Sequence, residues 1–318
     1  MKKSLVSILF TAGMVLSLTA CGSKPEEAKA PETTAPKAET TAEAGTKTET
    51  GAETTAAKSA ENAASQADKK DADAKTETVK AADPQLKDTF TVGFDQDFPP
   101  MGFVDENGDY TGFDLELAQE VAKRLGMEYV PQPIPWDSKD MELNSETIDC
   151  IWNGFTMNGR EDGYTWSEPY MKNSQVFVVA KDSGITDMAG LAGKIVTVQA
   201  DSSAEAALKD LPDLAGTFGT LQTTPDYNTA FRDLEMGAVD AIAMDVIVAG
   251  YQIEKKKTGE FVILDDQLSE EEYAIGFKKG NTALRDAVQA ELEAMAEDGT
   301  LKAISEKWFG RDITTIGR

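Results

Sequence analysis

The chain has 318 residues, with 56 acidic against 31 basic, a formal net charge of −25, two cysteines and no histidine. These counts exclude zinc sites of the His/Cys type, triads that use histidine, and the basic face that nucleic-acid binding requires. Residues 1–20 carry +2 and residues 21–84 carry −4, so −23 falls on the remainder, which suits a soluble extracytoplasmic protein.

In chain order, Lys2 and Lys3 precede an apolar run from Leu5 to Leu18, too short for a comfortable membrane span. The run ends in Leu18-Thr19-Ala20-Cys21-Gly22, with small residues before the cut expected of a secretory signal. A cysteine at that place resembles the lipobox of bacterial lipoproteins. The resemblance implies that residues 1–20 are removed and that Cys21 becomes a lipidated N-terminus, anchored stably by two acyl chains. From Gly22 to Pro84 the composition is Ala, Thr, Glu and Lys, with Val79 the only sizeable apolar side chain. Such a segment buries too little surface to offset the entropy of ordering it, so residues 21–84 are expected to be a disordered tether.

The remainder, 85–318, has the length of two lobes. Phe90–Phe94 is a strand candidate. Asp105-Glu106-Asn107-Gly108-Asp109 reads as a hairpin turn, and its acidic spacing does not fit a calcium loop. In "GFDLELAQEVAKRLG", Leu115, Leu117, Ala118, Val121, Ala122 and Leu125 recur at helical spacing, with Asp114 as expected N-cap and Gly126 as terminator. A strand near Tyr129, a helix through Met141 and Leu143, and a strand at Ile148–Trp152 follow. The lone Cys150 in that strand reads as a small buried hydrophobe. Strands at Gln175–Ala180, Ile195–Gln199, Val239–Met244 and Tyr273–Phe277 alternate with helices at Ala204–Leu208, Tyr227–Met236, Val246–Lys256, Thr282–Glu297 and Leu301–Trp308. The alternation predicts an α/β fold with largely parallel sheets.

"GFDLELAQEVAKRLG", with "VGFDQDFPPMGF" before it and "TMNGREDGYTWSEPY" after, resembles the family 3 bacterial extracellular solute-binding proteins, which serve polar amino-acid ABC importers. The resemblance runs from about Thr89 to Phe309. It implies a type II two-lobe fold with two crossing hinge strands, matched by Gln175–Lys181 and Tyr273–Lys279, and ligand in the cleft. Lobe 1 is then expected at about 86–177 and 274–318, and lobe 2 at about 178–273.

A free amino acid brings a carboxylate and an ammonium, each of which must be paired when a cleft closes and expels water. Arg160, in the loop "NGFTMNGRE", supplies the fork that a carboxylate wants, and the resemblance gives it that contact. Thr156 matches the family's hydroxyl position, Gly154 the residue whose carbonyl approaches the ammonium, and Asn153 stands beside them. The Thr156–Arg160 spacing is one residue shorter than usual, with Gly159 as the residue that permits the tighter turn. "VQADSSAEAAL" matches a turn of the form Q-x-G-T-S before a helix, whose N-terminus favours anions. Ser203 takes the contacting position, with Ser202 beside it. Asp201 replaces the usual glycine, either pointing away or reading the ligand's side chain. Asp245 matches the ammonium-binding aspartate, and a simple helix cap is its plain alternative. Asp95 matches a position that contacts the ligand side chain, and Phe98 and Trp136 match the residues that sandwich it. Trp152 ranks below these.

Asp95, Asp97 and Asp201 around that pocket favour a cationic or hydrogen-bonding ligand, with arginine, lysine, glutamine and cystine all open. The resemblance implies no catalytic residue, metal or cofactor, a monomer, a permease and its ATPase as partners, and a lipid-anchored place on the outer face of the cell membrane. Two alternatives stay open: a sensor acting on a membrane receptor, and a dehydratase-type enzyme on the same fold.

Overall fold

The computed structural model describes residues 86–318; the expected signal, Cys21 and the tether lie outside the described residues. The first strand, β1 (Thr89–Phe94), alternates apolar residues so that Phe90, Val92 and Phe94 are buried on one face. On the other face a Cβ at Gly93 would lie 2.4 Å from the end of the Ile148 side chain, which would have to move aside for any larger residue. A three-stranded antiparallel meander follows: β2 (Asp97–Phe98), β3 (Gly102–Val104) and β4 (Tyr110–Thr111). The expected Asn107-Gly108 turn joins β3 to β4, with the Asp105 carboxylate accepting the Asn107 and Asp109 N–H groups.

Helix α1 (Phe113–Leu125) buries the stripe that its periodicity predicts and ends at left-handed Gly126. The expected cap is corrected: Gly112 precedes the helix and makes no side-chain cap, while Asp114 lies inside the first turn and is fully buried. Then come β5 (Glu128–Pro133), α2 (Lys139–Asn144), β6 (Cys150–Ile151) and β7 (Thr165–Trp166).

β8 (Met171–Ala180) leads into β9 (Ile195–Gln199), α3 (Ser203–Asp210), α4 (Pro212–Ala215), β10 (Thr220–Thr224), α5 (Tyr227–Glu235), β11 (Ala241–Asp245), α6 (Val246–Lys256) and β12 (Phe261–Tyr273). The chain returns through β13 (Gly276–Phe277) to α7 (Thr282–Glu297) and α8 (Thr300–Phe309), which pack on α1. The described residues thus build two five-stranded sheets, ordered β5-β1-β6-β13-β7 and β10-β9-β11-β8-β12.

Three expectations change. The sheets are mixed rather than largely parallel, because β13 runs antiparallel to β6 and β7, and β8 runs antiparallel to β11 and β12. The last long strand begins at Phe261 rather than Tyr273; its Asp265–Glu272 stretch is acidic and half exposed, so no apolar alternation marks it. The crossing lies earlier than Gln175–Lys181. Gln175–Val179 already pair with β11 in the second sheet, so the span between lobes is the β8–β12 ladder Met171–Ser174 against Glu270–Tyr273.

Candidate functional site

The loop after β6 is built from inside outward. Gly154 takes φ +56, and its N–H donates to the Asp114 carboxylate at 2.6 Å. Tyr170 donates its hydroxyl to the same carboxylate oxygen at 2.8 Å. Burial nevertheless pushes the Asp114 carboxyl up to about 7, against the lowering effect of those hydrogen bonds. Asn153 Oδ1 accepts the Asp95 N–H at 3.1 Å. The loop is stitched to β12 and the residue after it, since the Met157 N–H donates to the Glu272 carbonyl and the Ala274 N–H to the Phe155 carbonyl.

The short Thr156–Arg160 spacing is absorbed by a turn. The Arg160 N–H donates to the Met157 carbonyl at 2.9 Å, and Gly159 sits at φ +78. The Arg160 guanidinium lies 5.3 Å from the Phe155 ring centroid. It donates to the Thr156 carbonyl at 3.2 Å and, across the cleft, to the Asp201 carbonyl at 3.3 Å.

The second lobe presents the start of α3. Ser202 is its N-cap, accepting the Glu205 N–H at 3.1 Å. Ser203 Oγ lies 3.2 Å from Thr156 Oγ1 and accepts from Gln175 Nε2 at 2.9 Å. Asp201 is held left-handed at φ +57, and its carboxylate forms an ion pair with Lys139, a nearly fully buried lysine of the first lobe. The Asp201 carboxylate thus reaches across to the first lobe, and Asp201 is not among the residues lining the cavity described below.

Asp245 ends β11 and precedes α6, yet its side chain caps nothing. Its Oδ1 instead accepts from Tyr273 Oη at 2.6 Å, Asn173 Nδ2 at 2.7 Å and Gln175 Nε2 at 2.8 Å. Burial, reinforced by the neighbouring Glu271 charge, pushes its carboxyl up to about 7. Asp95 accepts the Asp97 N–H at 2.9 Å and the Gln199 amide at 2.7 Å, and burial raises it to about 6.

Nine of the ten expected residues line one cavity: Phe98, Trp136, Asn153, Gly154, Thr156, Arg160, Ser202, Ser203 and Asp245, together with Gln199. The tenth, Asp95, lines an adjoining recess of about 430 Å³ with Asp97, Trp136, Asp137 and Asp226, and touches the first cavity through Gln199. Trp152 is fully buried beside Tyr170. Residues from both lobes hold one another here, through Asp95–Gln199, through Asn228 to Asp97 at 2.6 Å, and through Lys139–Asp201. One guanidinium, several hydroxyls, a buried carboxylate and two aromatic faces therefore meet in one space. That set can neutralise both charges of a small zwitterion.

Sequence reasoning missed Gln199, Lys139, Asn173, Gln175, Glu271 and Tyr273. Gln199 ends β9 in the quoted turn "VQADSS", and Gln175 lies within β8 where the apolar run Val176–Val179 begins; a polar residue at the edge of an apolar run is the signal for both. Glu271 sits in the run Glu270-Glu271-Glu272, where only burial separates it from its neighbours.

Comparison with known proteins bears on most of the described region. The family model for bacterial extracellular solute-binding proteins, family 3, matches residues 90–311. The L-cystine-binding protein TcyJ of Escherichia coli K12 is 34% identical over 229 residues, covering 71% of this chain and 84% of its own. The arginine-binding extracellular protein ArtP of Bacillus subtilis 168 is 30% identical over 228 residues, covering 70% and 87%. The crystal structure of an ABC uptake transporter substrate binding protein from Streptococcus pneumoniae with bound histidine superposes with a TM-score of 0.69 at 35% identity, covering 72% of this chain and 95% of that one. The two-sheet architecture, the crossing strands and these matches agree: the chain belongs to the family 3 bacterial extracellular solute-binding proteins, a substrate-binding rather than an enzymatic family.

Proposed function

We propose that this protein captures a polar L-amino acid between its lobes and delivers it to an ABC importer. The observation that carries the reading is the convergence of Arg160, Thr156, Ser203 and Asp245, from both lobes, on one cavity. Arg160 and the two hydroxyls take the ligand carboxylate; Asp245, with the Gly154 carbonyl, takes the ammonium. Phe98 and Trp136 flank the side chain, Asn153 and Ser202 shape the walls, and Asp95 with Gln199 reads the polar end. The recess beyond Trp136 is lined by four aspartates and no basic residue, which favours a cationic or hydrogen-bonding side chain. Relatives named for arginine and cystine support that class.

The rest of the reading is arrangement. Lipid on Cys21 holds the protein at the outer face of the membrane; the 21–84 tether lets the binding domain reach a permease, which a separate ATPase drives. Closure around ligand is a hinge motion at the β8–β12 crossing.

Thermal unfolding with each of the twenty amino acids, cystine and ornithine tests this. A ligand that binds only the native state raises the melting temperature. A large shift for one chemical class supports the reading; no shift for any of them overturns it.

A further inference from the structure

Glu271 lies on the hinge strand β12, is nearly fully buried, and has no place in the amino-acid contacts above. Its Oε1 accepts from Asn173 Nδ2 at 2.6 Å and from Gln175 Nε2 at 2.7 Å, the same two amides that bind Asp245 Oδ1. It also accepts the Thr156 hydroxyl at 2.8 Å. Two buried carboxylates therefore share one set of donors. Among the described residues, no Lys or Arg forms an ion pair with either.

The donors run short. Gln175 Nε2 has two hydrogens but faces three acceptors: Ser203 Oγ, Asp245 Oδ1 and Glu271 Oε1. The other amide oxygens, Asn173 Oδ1 and Gln175 Oε1, are buried acceptors without a donor. The cluster is thus short of a positive, hydrogen-donating group, and Asp245 exposes it to the ligand cavity.

Resting on the amino-acid reading, we propose that Glu271 belongs to the ammonium site: with Asp245 it forms a two-carboxylate seat, at which the ligand's ammonium displaces the proton held on Asp245 into solvent. The Glu271 carboxylate beside Asp245 makes ionising Asp245 costly. The upward push on Asp245 from burial and from Glu271 agrees. The other ionisable groups around the pair do not neutralise it. Tyr273 on β12 and Tyr227 on α5 are raised well above the usual tyrosine range by burial and stay neutral. Arg160 lines the cavity and donates to the Thr156 and Asp201 carbonyls, Lys139 is taken by Asp201, and Asp95 is bound by Gln199.

The test is calorimetric titration of the full-length protein in buffers of different ionisation heat, beginning with L-arginine and L-cystine and continuing with any amino acid that raises the melting temperature. At pH 6 about one proton is released per ligand, and at pH 8.5 close to none, as linkage requires. Over the same range, affinity weakens toward acid by up to about tenfold per pH unit. In Glu271→Gln the release at pH 6 falls and the affinity profile flattens, while Glu271→Asp, which keeps the carboxylate, retains both. Binding without proton release in the natural protein, or equal release in Glu271→Gln, overturns the inference and leaves amino-acid binding standing. If Glu271→Gln does not fold, Glu271→Ala read in the same way decides, with unchanged release overturning the inference. Absence of binding heat for all twenty amino acids and cystine removes the amino-acid reading and this inference with it.

Discussion

Lys139 of the first lobe and Asp201 of the second form an ion pair across the cleft, and they are unequal partners: the lysine side chain is 1% exposed and the aspartate 55%. The lysine ammonium also lies 5.2 Å from the Trp136 ring centroid. Removing the aspartate strands a charge inside the protein, whereas removing the lysine leaves a carboxylate that water can solvate. Asp201→Asn is therefore expected to destabilise the folded protein by roughly 3 kcal/mol and Lys139→Met by no more than about 1 kcal/mol. Urea unfolding of the two variants, read side by side, checks the order; equal losses would contradict it.

Arg160 is the only arginine lining the cavity among the described residues. Arg160→Ala is expected to weaken amino-acid binding by about 30-fold or more, the effect of truncating one partner of a buried charge pair. Arg160→Lys should recover only part, since an ammonium cannot reproduce the planar fork. Titration calorimetry of both variants measures this. Undiminished binding by Arg160→Ala would move the carboxylate elsewhere.

Asp114 has a folded-state carboxyl at about 7 against an ordinary value of 3.8. Between those values the native state holds a proton that the unfolded state has lost. Stability is therefore fully present below about pH 4 and declines as pH rises through 7, by up to about 1.4 kcal/mol per unit for each such group. Asp95 and Asp245 shift in the same direction. Asp114→Asn should flatten part of this slope in ligand-free protein. Denaturation midpoints at pH 4, 5.5 and 7 for both proteins check the sign.

Gly154 and Gly159 both have positive φ, at +56 and +78, but differ in surroundings. A Cβ at 154 would lie 3.0 Å from both Phe98 and Tyr273, whereas at 159 nothing lies within 4 Å. Gly159→Ala should cost only the backbone term of about 1 kcal/mol, and Gly154→Ala more than that, with weaker ligand binding in addition. Melting temperatures with and without ligand separate the two.

Much of this was legible because local chemistry and fold agree. The spacing of Leu115 to Leu125 marks α1, and the polar loop from Asn153 to Arg160 after an apolar strand marks the cleft. What escaped is what depends on distant partners. Asp114 looks like a cap, and only the fold turns it inward beneath Gly154. β12 has no periodic pattern because a strand that passes between lobes is covered unevenly along its length. Glu271 becomes distinctive only when β8 brings Asn173 and Gln175 beside it.

The β8–β12 crossing has a mechanical consequence. Asn173 and Glu271 are opposed in its register, and Tyr273 faces Met171 two positions further on. The ribbon that joins the two sheets thus also carries the groups that grip Asp245. Under the proposed binding, fulcrum and sensor are one piece: a cation seated at Asp245 pulls on the pivot itself, and occupancy becomes lobe angle without a relay of intermediate side chains.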